Sequence, residues 1–196
     1  MIKKITLVAA VVLFAIAANA QIKVNAGAGL LFPTGDFGDV AKTGFGVNIG
    51  GKYMLNEKMA VGFAVGYNSL AASDDIVDAF KFLAGTDDVD MKYTIIPVVG
   101  SFSYFFKTDG FKPYAGLDLG IYTANVKLEI DGEDVTDDAG LDGETKLGFA
   151  PTLGFEYSFS DKLALDVNAK YNYIMTEDNA TTAFGINVGV VFTLGN

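Results

Sequence analysis

Residues 59–69, MAVGFAVGYNS, alternate strictly between large apolar side chains and small or polar ones. The large set occupies every second position and consists of Met59, Val61, Phe63, Val65 and Tyr67. Because successive side chains of a β-strand point to opposite faces, this period of two predicts a strand with one apolar face. The opposite face carries only Gly, Ala and Asn, so one face of the strand is bulky and the other is small.

The same alternation recurs after residue 20 and predicts an all-β chain of eight strands. The predicted strands are residues 22–32, 44–55, 59–69, 93–106, 111–123, 147–159, 163–173 and 183–194. The fourth is the least regular, because Pro97 lacks the N–H that a strand ladder needs. We expect a bulge or a local distortion there.

Strand and loop lengths indicate a membrane barrel. The predicted strands hold about 11–14 residues, against about 5–6 in soluble proteins, and can cross a bilayer when tilted. Tight turns at residues 56–58, 107–110 and 160–162 alternate with long segments at 33–43, 70–92, 126–146 and 174–182. This layout predicts an eight-stranded antiparallel up-and-down transmembrane β-barrel with short periplasmic turns and long extracellular loops.

A soluble up-and-down barrel of the lipocalin kind is the competing fold, and its apolar face points inward. Here the other face is mostly Gly, Ala, Ser and Asn, which is too neutral for a solvated surface. Small residues suit the crowded interior of a narrow barrel. We therefore expect the apolar face to meet lipid.

Residues 1–20 have the layout of a secretory signal peptide. A basic start, Met1-Ile2-Lys3-Lys4, precedes an apolar stretch from Ile5 to Ala18, and Ala18-Asn19-Ala20 forms a small-x-small cleavage site. An uncleaved N-terminal anchor is the alternative. We expect residues 1–20 to be the signal peptide and residues 21–196 to form one β-barrel domain, exported through the periplasm.

The composition argues against several kinds of chemistry. The 196 residues include no His and no Cys, and the net charge is −10. Ser-His and Cys-His nucleophiles and His- or thiolate-based metal sites cannot be built from this set. The excess of acids leaves nothing to neutralise phosphates, which argues against a nucleic-acid partner. We expect no catalysis, no cofactor and no resident metal.

Six charged residues fall on the small-residue face inside the predicted strands. They are Lys23, Lys52, Lys170, Asp118, Glu156 and Asp166. In lipid each charge would cost about 2–4 kcal/mol near mid-depth, whereas inside a barrel the two signs can pair. We expect these six residues to form a buried charge network in the lumen. Acid–base chemistry by a pair of the carboxylates is the alternative.

The third long segment is strongly acidic, with eight carboxylates in residues 129–144. Oxygen ligands on flexible backbone can bind Ca²⁺ weakly, so Asp137, Asp138, Asp142 and Glu144 are a possible cation-binding loop. The spacing does not fit an EF-hand. A solvated extracellular loop is the alternative.

The second long segment carries Ile76, Val77, Phe80 and Leu83 at helical spacing. This predicts a short amphipathic helix over residues 74–84, with Asp75 as N-cap and Gly85 as its stop. We expect the helix over the barrel mouth or at the headgroup boundary. A more specific hypothesis is that this helix acts as a gate for a ligand.

Several stretches resemble the outer-membrane-protein β-barrel domain family, which includes OmpX, OmpW and the transmembrane domain of OmpA. They are Leu31-Phe32-Pro33-Thr34-Gly35-Asp36-Phe37, Ile96-Pro97-Val98, Lys112-Pro113-Tyr114-Ala115-Gly116-Leu117-Asp118-Leu119-Gly120 and the Gly-rich last strand. The resemblance covers essentially the whole mature chain. It implies an eight-stranded barrel inserted by the outer-membrane assembly machinery, among outer membrane lipids and lipopolysaccharide. Such proteins commonly end on an aromatic residue that assists assembly. Here the last residues are not aromatic, and we expect Phe192 to serve in its place.

These features predict an integral outer membrane protein with a non-enzymatic structural or surface-interaction role. The alternative is a narrow porin-like channel, or a barrel that binds or transports small apolar ligands. An eight-stranded barrel is normally filled by side chains, which favours the first interpretation. The sequence does not identify an extracellular partner.

Overall fold

The computed structural model describes residues 21–137, 139–141, 143–176 and 180–194, so the predicted signal peptide lies outside the described residues. Within them the chain forms nine strands and two helices. The strands are β1 (Ile22–Thr34), β2 (Gly44–Met54), β3 (Met59–Ala71), β4 (Val89–Phe105), β5 (Phe111–Ile130), β6 (Glu133–Asp134), β7 (Glu144–Ser158), β8 (Leu163–Met175) and β9 (Ala180–Leu194). The helices are α1 (Asp36–Val40) and α2 (Asp74–Ala84), and no helix in the described part of the chain is long and apolar enough to cross a membrane.

Eight long antiparallel strands close into a barrel. Their order is β4-β3-β2-β1-β9-β8-β7-β5, and β4 pairs with β5 to complete the ring. The first and last strands form the seam, whose register runs from Ile22 opposite Leu194 to Thr34 opposite Thr182. The short β6 pairs only with the far end of β5 and lies outside the ring. The predicted eight-stranded up-and-down barrel is confirmed.

The two faces of the wall differ as the alternation predicts. Large apolar side chains on the outward face are exposed, for example Phe45, Ile49, Leu119 and Leu153. Small residues line the inside, where a Cβ on Gly50 would lie 3.0 Å from the amide oxygen of Asn25 on the next strand. An apolar outer band around a polar interior is the arrangement of a barrel that faces lipid.

The β4–β5 hairpin extends further than the alternation predicts. β4 begins at Val89 instead of residue 93, and β5 continues to Ile130 instead of residue 123. In this extension the polar side chains face outward and the apolar ones face inward, so that Met91 is buried and Lys92 is exposed. The outward apolar pattern therefore covers only part of each strand, and the predicted bounds leave out the start of β4 and the end of β5.

Pro97 does not produce the predicted bulge. Val65 pairs with Val98 and Asn68 with Ile95, so the same number of residues separates the partners on both strands and none is inserted. On its other side Pro97 keeps its place opposite Tyr122. The distortion is limited to a two-residue interruption of the β3–β4 ladder.

Helix α2 spans the residues that the sequence predicts, but its cap is different. Ser73 is the N-cap, with extended backbone angles, whereas Asp75 already lies inside the first turn. At the other end Gly85 adopts a left-handed conformation (φ 72°), and its N–H donates to the carbonyl of Lys81. Glycine reaches that conformation without a Cβ clash, so the predicted stop at Gly85 is confirmed.

Candidate functional site

Four of the six predicted lumen charges meet near the short-turn rim of the barrel. The Lys23 Nζ lies 2.5 Å from Glu156 Oε2. The Lys52 Nζ lies 3.4 Å from Glu156 Oε1 and 3.7 Å from Asp166 Oδ2. Glu156 is only 1% exposed, so both of its oxygens are held by ammonium groups away from solvent.

The strand register explains why these charges are drawn across the lumen. Lys23 lies directly opposite Lys52 on β1 and β2, and Glu156 lies directly opposite Asp166 on β7 and β8. Like charges on neighbouring strands repel each other. Each pair is stabilised instead by the pair of opposite sign on the facing wall, which ties the two sides of the barrel together.

Two aromatic rings complete this level of the lumen. The Lys23 Nζ lies 5.0 Å from the centre of the Phe105 ring, and the Lys52 Nζ lies 4.6 Å from the centre of the Tyr114 ring. Both contacts are within the range of cation–π attraction. Tyr114 also donates its hydroxyl to Asp166 Oδ2 at 2.9 Å. We call this layer the ionic floor; it consists of Lys23, Lys52, Glu156, Asp166, Phe105 and Tyr114.

The other two predicted charges form a separate pair. The Lys170 Nζ lies 2.5 Å from Asp118 Oδ2, and this contact reaches from β8 past β7 to β5. The Asp118 carboxylate is nearly buried, whereas the Lys170 side chain is about a quarter exposed. The structure thus places all six charges in the lumen as ion pairs, but in two groups.

A chain of asparagine amides, which sequence reasoning did not single out, leads into the ionic floor. The amide nitrogen of Asn48 donates to Asn187, and Asn187 donates to Asn168 at 3.2 Å. Asn168 donates in turn to Asp166 Oδ1 at 2.5 Å. The signal was present in the sequence, because these amides recur on the small-residue face of three strands. It could not show that they would meet.

A cavity of about 110 Å³ lies above the ionic floor. Its lower wall is polar and includes Ser101, Ser103 and Thr152. An apolar cluster closes the upper lumen and consists of Leu31, Leu70, Ile95, Val99, Tyr122, Ile174 and Ala183. The lumen therefore combines a charged layer at one end with an apolar layer at the other.

The first long loop covers this apolar layer. Phe37 of α1 packs edge-on against Tyr93 with ring centres 5.8 Å apart. The loop is attached to the start of the second loop by two backbone bonds, from the Lys42 N–H to Ala71 O and from the Ser73 N–H to Val40 O, both 2.8 Å. Its packing and hydrogen bonds hold α1 at the mouth.

Helix α2 packs beside the mouth, on the inner face of the β4–β5 extension. Three of its four predicted apolar residues, Ile76, Val77 and Phe80, contact the buried cluster of Ala72, Val89, Met91 and Leu128. The fourth, Leu83, is 78% exposed, so its assignment to the packed face is wrong. The residue follows Phe80 by three positions, which places it on the flank of the packed stripe.

The acidic loop is only partly described. Asp138 and Asp142 lie outside the described residues, and Glu144 belongs to β7, where its carboxylate lies 3.4 Å from the Lys146 Nζ. In the described ranges no group of three or more His, Cys, Asp or Glu side chains could hold a metal ion. The Ca²⁺ site at Asp137, Asp138, Asp142 and Glu144 stays a prediction.

The outward charges of the extension pair with each other. Lys127 lies 2.6 Å from Glu129 and 3.7 Å from Asp134. The Thr136 hydroxyl and N–H donate to Asp134 and lower the pKa of its carboxyl below the ordinary value. The bond to Glu129 raises the pKa of the Lys127 ammonium. Both groups are therefore charged at neutral pH.

An apolar outer band, a polar lumen filled from within and alternating short and long connections define a small outer-membrane β-barrel. The chain belongs to the outer membrane protein beta-barrel domain family, whose model matches residues 6–192. The protein is thus located in the outer membrane.

Known relatives cover nearly the whole chain. An uncharacterised protein of Haemophilus influenzae is 26% identical over 97% of this chain and 99% of its own length. The Neisserial surface protein A structure is 21% identical, with a TM-score of 0.57 over 89% of this chain and 97% of that one. The attachment invasion locus protein Ail of Yersinia pestis is 13% identical, with a TM-score of 0.59 over 89% and 99%. At these identities the solved structures share the fold.

Proposed function

We propose that this protein is a non-conducting, non-enzymatic barrel that contributes to the envelope and presents its extracellular loops to partners. The ionic floor carries the proposal. Its charges span the lumen from β1 and β2 to β7 and β8, and an ion could pass only if these buried pairs separated. A buried charge separated from its partner is left uncompensated away from water, which disfavours a standing pore.

The opposite end of the lumen supports the same interpretation. Leu70 is 1% exposed and Ile95 is 4% exposed, so the apolar cluster leaves little open path beneath α1. The loop above it is fixed by backbone hydrogen bonds at Val40 and Lys42. An apolar constriction of this kind resists wetting.

The state of the lumen acids supports a non-enzymatic role. Both oxygens of Glu156 contact lysines, and Asp166 accepts from Tyr114 and Asn168. Asp118 is engaged by Lys170. A general acid or base needs a reacting group within hydrogen-bond reach, whereas these carboxylates are occupied by structural partners.

The neighbours favour contacts made at the cell surface. One neighbour carries the name attachment invasion locus protein, and its structure has also been determined in complex with the heparin analogue sucrose octasulfate. The present chain has a net charge of −10, and most of its acids lie in the long loops. We therefore expect its partners to be cationic rather than sulfated.

The membrane partners follow from the outer wall. We propose that the exposed apolar band contacts outer membrane lipids and lipopolysaccharide. We also propose that the assembly machinery inserts the barrel through its last strand, on which Phe192 points outward and is 45% exposed.

Single-channel recording in planar lipid bilayers tests the proposal. The wild-type protein should give no discrete current steps, because the ionic floor blocks the lumen. The double variant Lys23→Ser with Lys52→Ser removes both floor cations and should show openings if the barrel still inserts. Reproducible openings of the wild-type protein would support the narrow-channel alternative instead.

A further inference from the structure

We propose that helix α2 is a docking element for a basic protein, whose apolar pocket takes Phe82 and Leu83. The proposal rests on the surface-interaction role above and names the chemistry of the partner. The docking face of α2 is defined by Asp75, Asp78 and Phe82, and Leu83 lies at its edge, on the flank of the packed stripe.

The exposure of two apolar residues is the first observation. Phe82 is 89% exposed and Leu83 is 78% exposed, more than any other large apolar side chain among the described residues. The outward side chains of the barrel wall, such as Leu153 at 66%, are partly covered by their neighbours and face lipid. Exposed apolar residues outside a lipid-facing wall mark interaction sites when they are grouped on a fixed surface.

The helix is held in place, so Phe82 cannot turn inward. Ile76, Val77 and Phe80 pack on the extension of β4 and β5, and Gly85 ends the helix with a left-handed turn. Side chains at positions i, i+4 and i+7 share one helix face, which aligns Phe82 with Asp78 and Asp75. Because this face is opposite the packed one, its side chains are displayed to the outside.

The position of α2 shows that its docking face does not lie in the lipid interior. On β4 the outward apolar face ends at Ile96, and Thr94, Lys92 and Asp90 follow above it. The helix packs on Met91, five residues beyond Ile96. At about 3.3 Å per residue and a tilt of about 40°, this level is roughly 12 Å above the apolar band.

The charge around the docking face distinguishes the remaining candidate partners, which are lipid headgroups, a second copy of this chain and another protein. Asp75 and Asp78 are exposed on the docking face, and Asp87 and Asp88 are exposed just beyond the helix. Lys81 is the one cation in this stretch and lies 3.8 Å from Asp78. Phosphate-rich lipid headgroups and a second copy of this acidic chain would both be repelled. A protein surface with lysines or arginines around an apolar pocket is complementary to it.

Binding of a defined probe tests the proposal. The full-length protein in nanodiscs of zwitterionic lipid is titrated with a short amphipathic peptide of Leu and Lys, with protein-free discs as the blank. The variant Phe82→Ser with Leu83→Ser should weaken binding by about tenfold or more, because two apolar side chains lose their burial. Asp75→Asn with Asp78→Asn should also weaken it.

A matched pair of acids provides the control. Asp36 and Asp39 are exposed on α1 at the same rim, so Asp36→Asn with Asp39→Asn makes the same change of charge away from the docking face. The proposal predicts a clearly smaller effect for this variant. Equal losses for the two acid pairs would mean a general acidic surface and would overturn it.

Further outcomes would also contradict the docking proposal. Undiminished binding after Phe82→Ser with Leu83→Ser, or equal binding of a Leu and Glu peptide, would overturn the proposal. So would Phe82-dependent dimers in sedimentation or Phe82-dependent binding to anionic vesicles, which identify another occupant. Conductance recorded on the same variants tests the closed barrel separately, because the docking face does not touch the lumen.

Discussion

The β4–β5 hairpin has a membrane-spanning part and an extracellular extension. Both alternate between apolar and polar side chains, but the apolar face is outside in the first and inside in the second. In the spanning part Leu117 and Leu119 face outward, and Asp118 between them lies in the lumen. In the extension Lys127 and Glu129 face outward, and Leu128 between them is buried. The two regions are continuous along β5, and no residue is inserted where the sense changes.

The medium around each region explains the reversal. Lipid surrounds the spanning part, so apolar side chains are stable outside and charges are stable only when paired inside. Water surrounds the extension, and its inner face is covered by α2. The backbone pattern stays constant, and the surroundings determine which face is apolar.

Removal of a charge inside the spanning part should have the largest effect. Glu156→Gln leaves Lys23 and Lys52 without the carboxylate that both contact. The free energy of unfolding should fall by about 3–5 kcal/mol, as expected for a broken buried pair. Unfolding by guanidinium in detergent micelles measures the change.

The control for Glu156→Gln lies on the outer face of the extension. Asp90→Asn removes the partner of Lys92 from an ion pair in which both side chains are about half exposed. Such pairs contribute little, so stability should stay close to that of the wild type. A similar loss in both variants would contradict the contrast between the two regions.

Introduction of a charge on the outer wall should have the next largest effect. Leu117→Lys places an ammonium on the lipid-facing side of β5 and should lower stability by about 2–4 kcal/mol. Asn125→Lys makes the same addition on the same face, eight residues further along β5. That site lies above the apolar band and should change stability by at most about 1 kcal/mol. Both changes are measured by the same unfolding assay in lipid vesicles. Equal losses of stability in the two variants would contradict the assignment of the apolar band that faces lipid.

The smallest effect should come from protonation of a single exposed carboxylate of the extension, that of Asp134. The pKa of Asp134 is lowered in the folded protein, mainly by hydrogen bonds from Thr136. The stabilisation is therefore fully present above the ordinary pKa of 3.8 and is lost as the pH falls through the lower native value.

Hydrogen exchange can detect that loss locally. The Leu128 N–H donates to the Thr136 hydroxyl, which in turn donates to Asp134. Protection of the Leu128 amide should decrease in acid by more than that of amides in the part of the β1–β9 seam farthest from Lys23. Asp134→Asn should remove this pH dependence, and its persistence in that variant would point to another acid.

Much of the fold could be predicted because lipid imposes a simple rule. Every membrane-spanning strand must present large apolar residues to the bilayer. The alternation seen in residues 59–69 therefore marks the other spanning strands along the chain. The rule fails where lipid ends, which is why β4, β7 and β9 begin before, and β5 ends after, the bounds that the alternation predicts. At Pro97 the local distortion is found and the bulge is not, because a missing N–H weakens a ladder without requiring an extra residue.

The lumen was less predictable because its contacts join distant strands. Period and composition placed six charges inside, but the grouping of Lys23, Lys52, Glu156 and Asp166 depends on register across the barrel. Composition gave no sign that Phe37 would cover the mouth. Leu83 was assigned by its spacing, and the spacing does not show which flank of a helix meets its support.

The β1–β9 seam also has a consequence for the order in which the barrel folds. Its hydrogen-bonded partners include Thr34 and Thr182, which are 148 residues apart. Contacts between such distant segments form late, because a long loop must close first. A chain whose last strand has not yet paired with the first would present an unpaired sheet edge, which invites aggregation. We therefore expect passage through the periplasm to require protection of that edge, and a chain truncated before residue 180 to remain an open sheet.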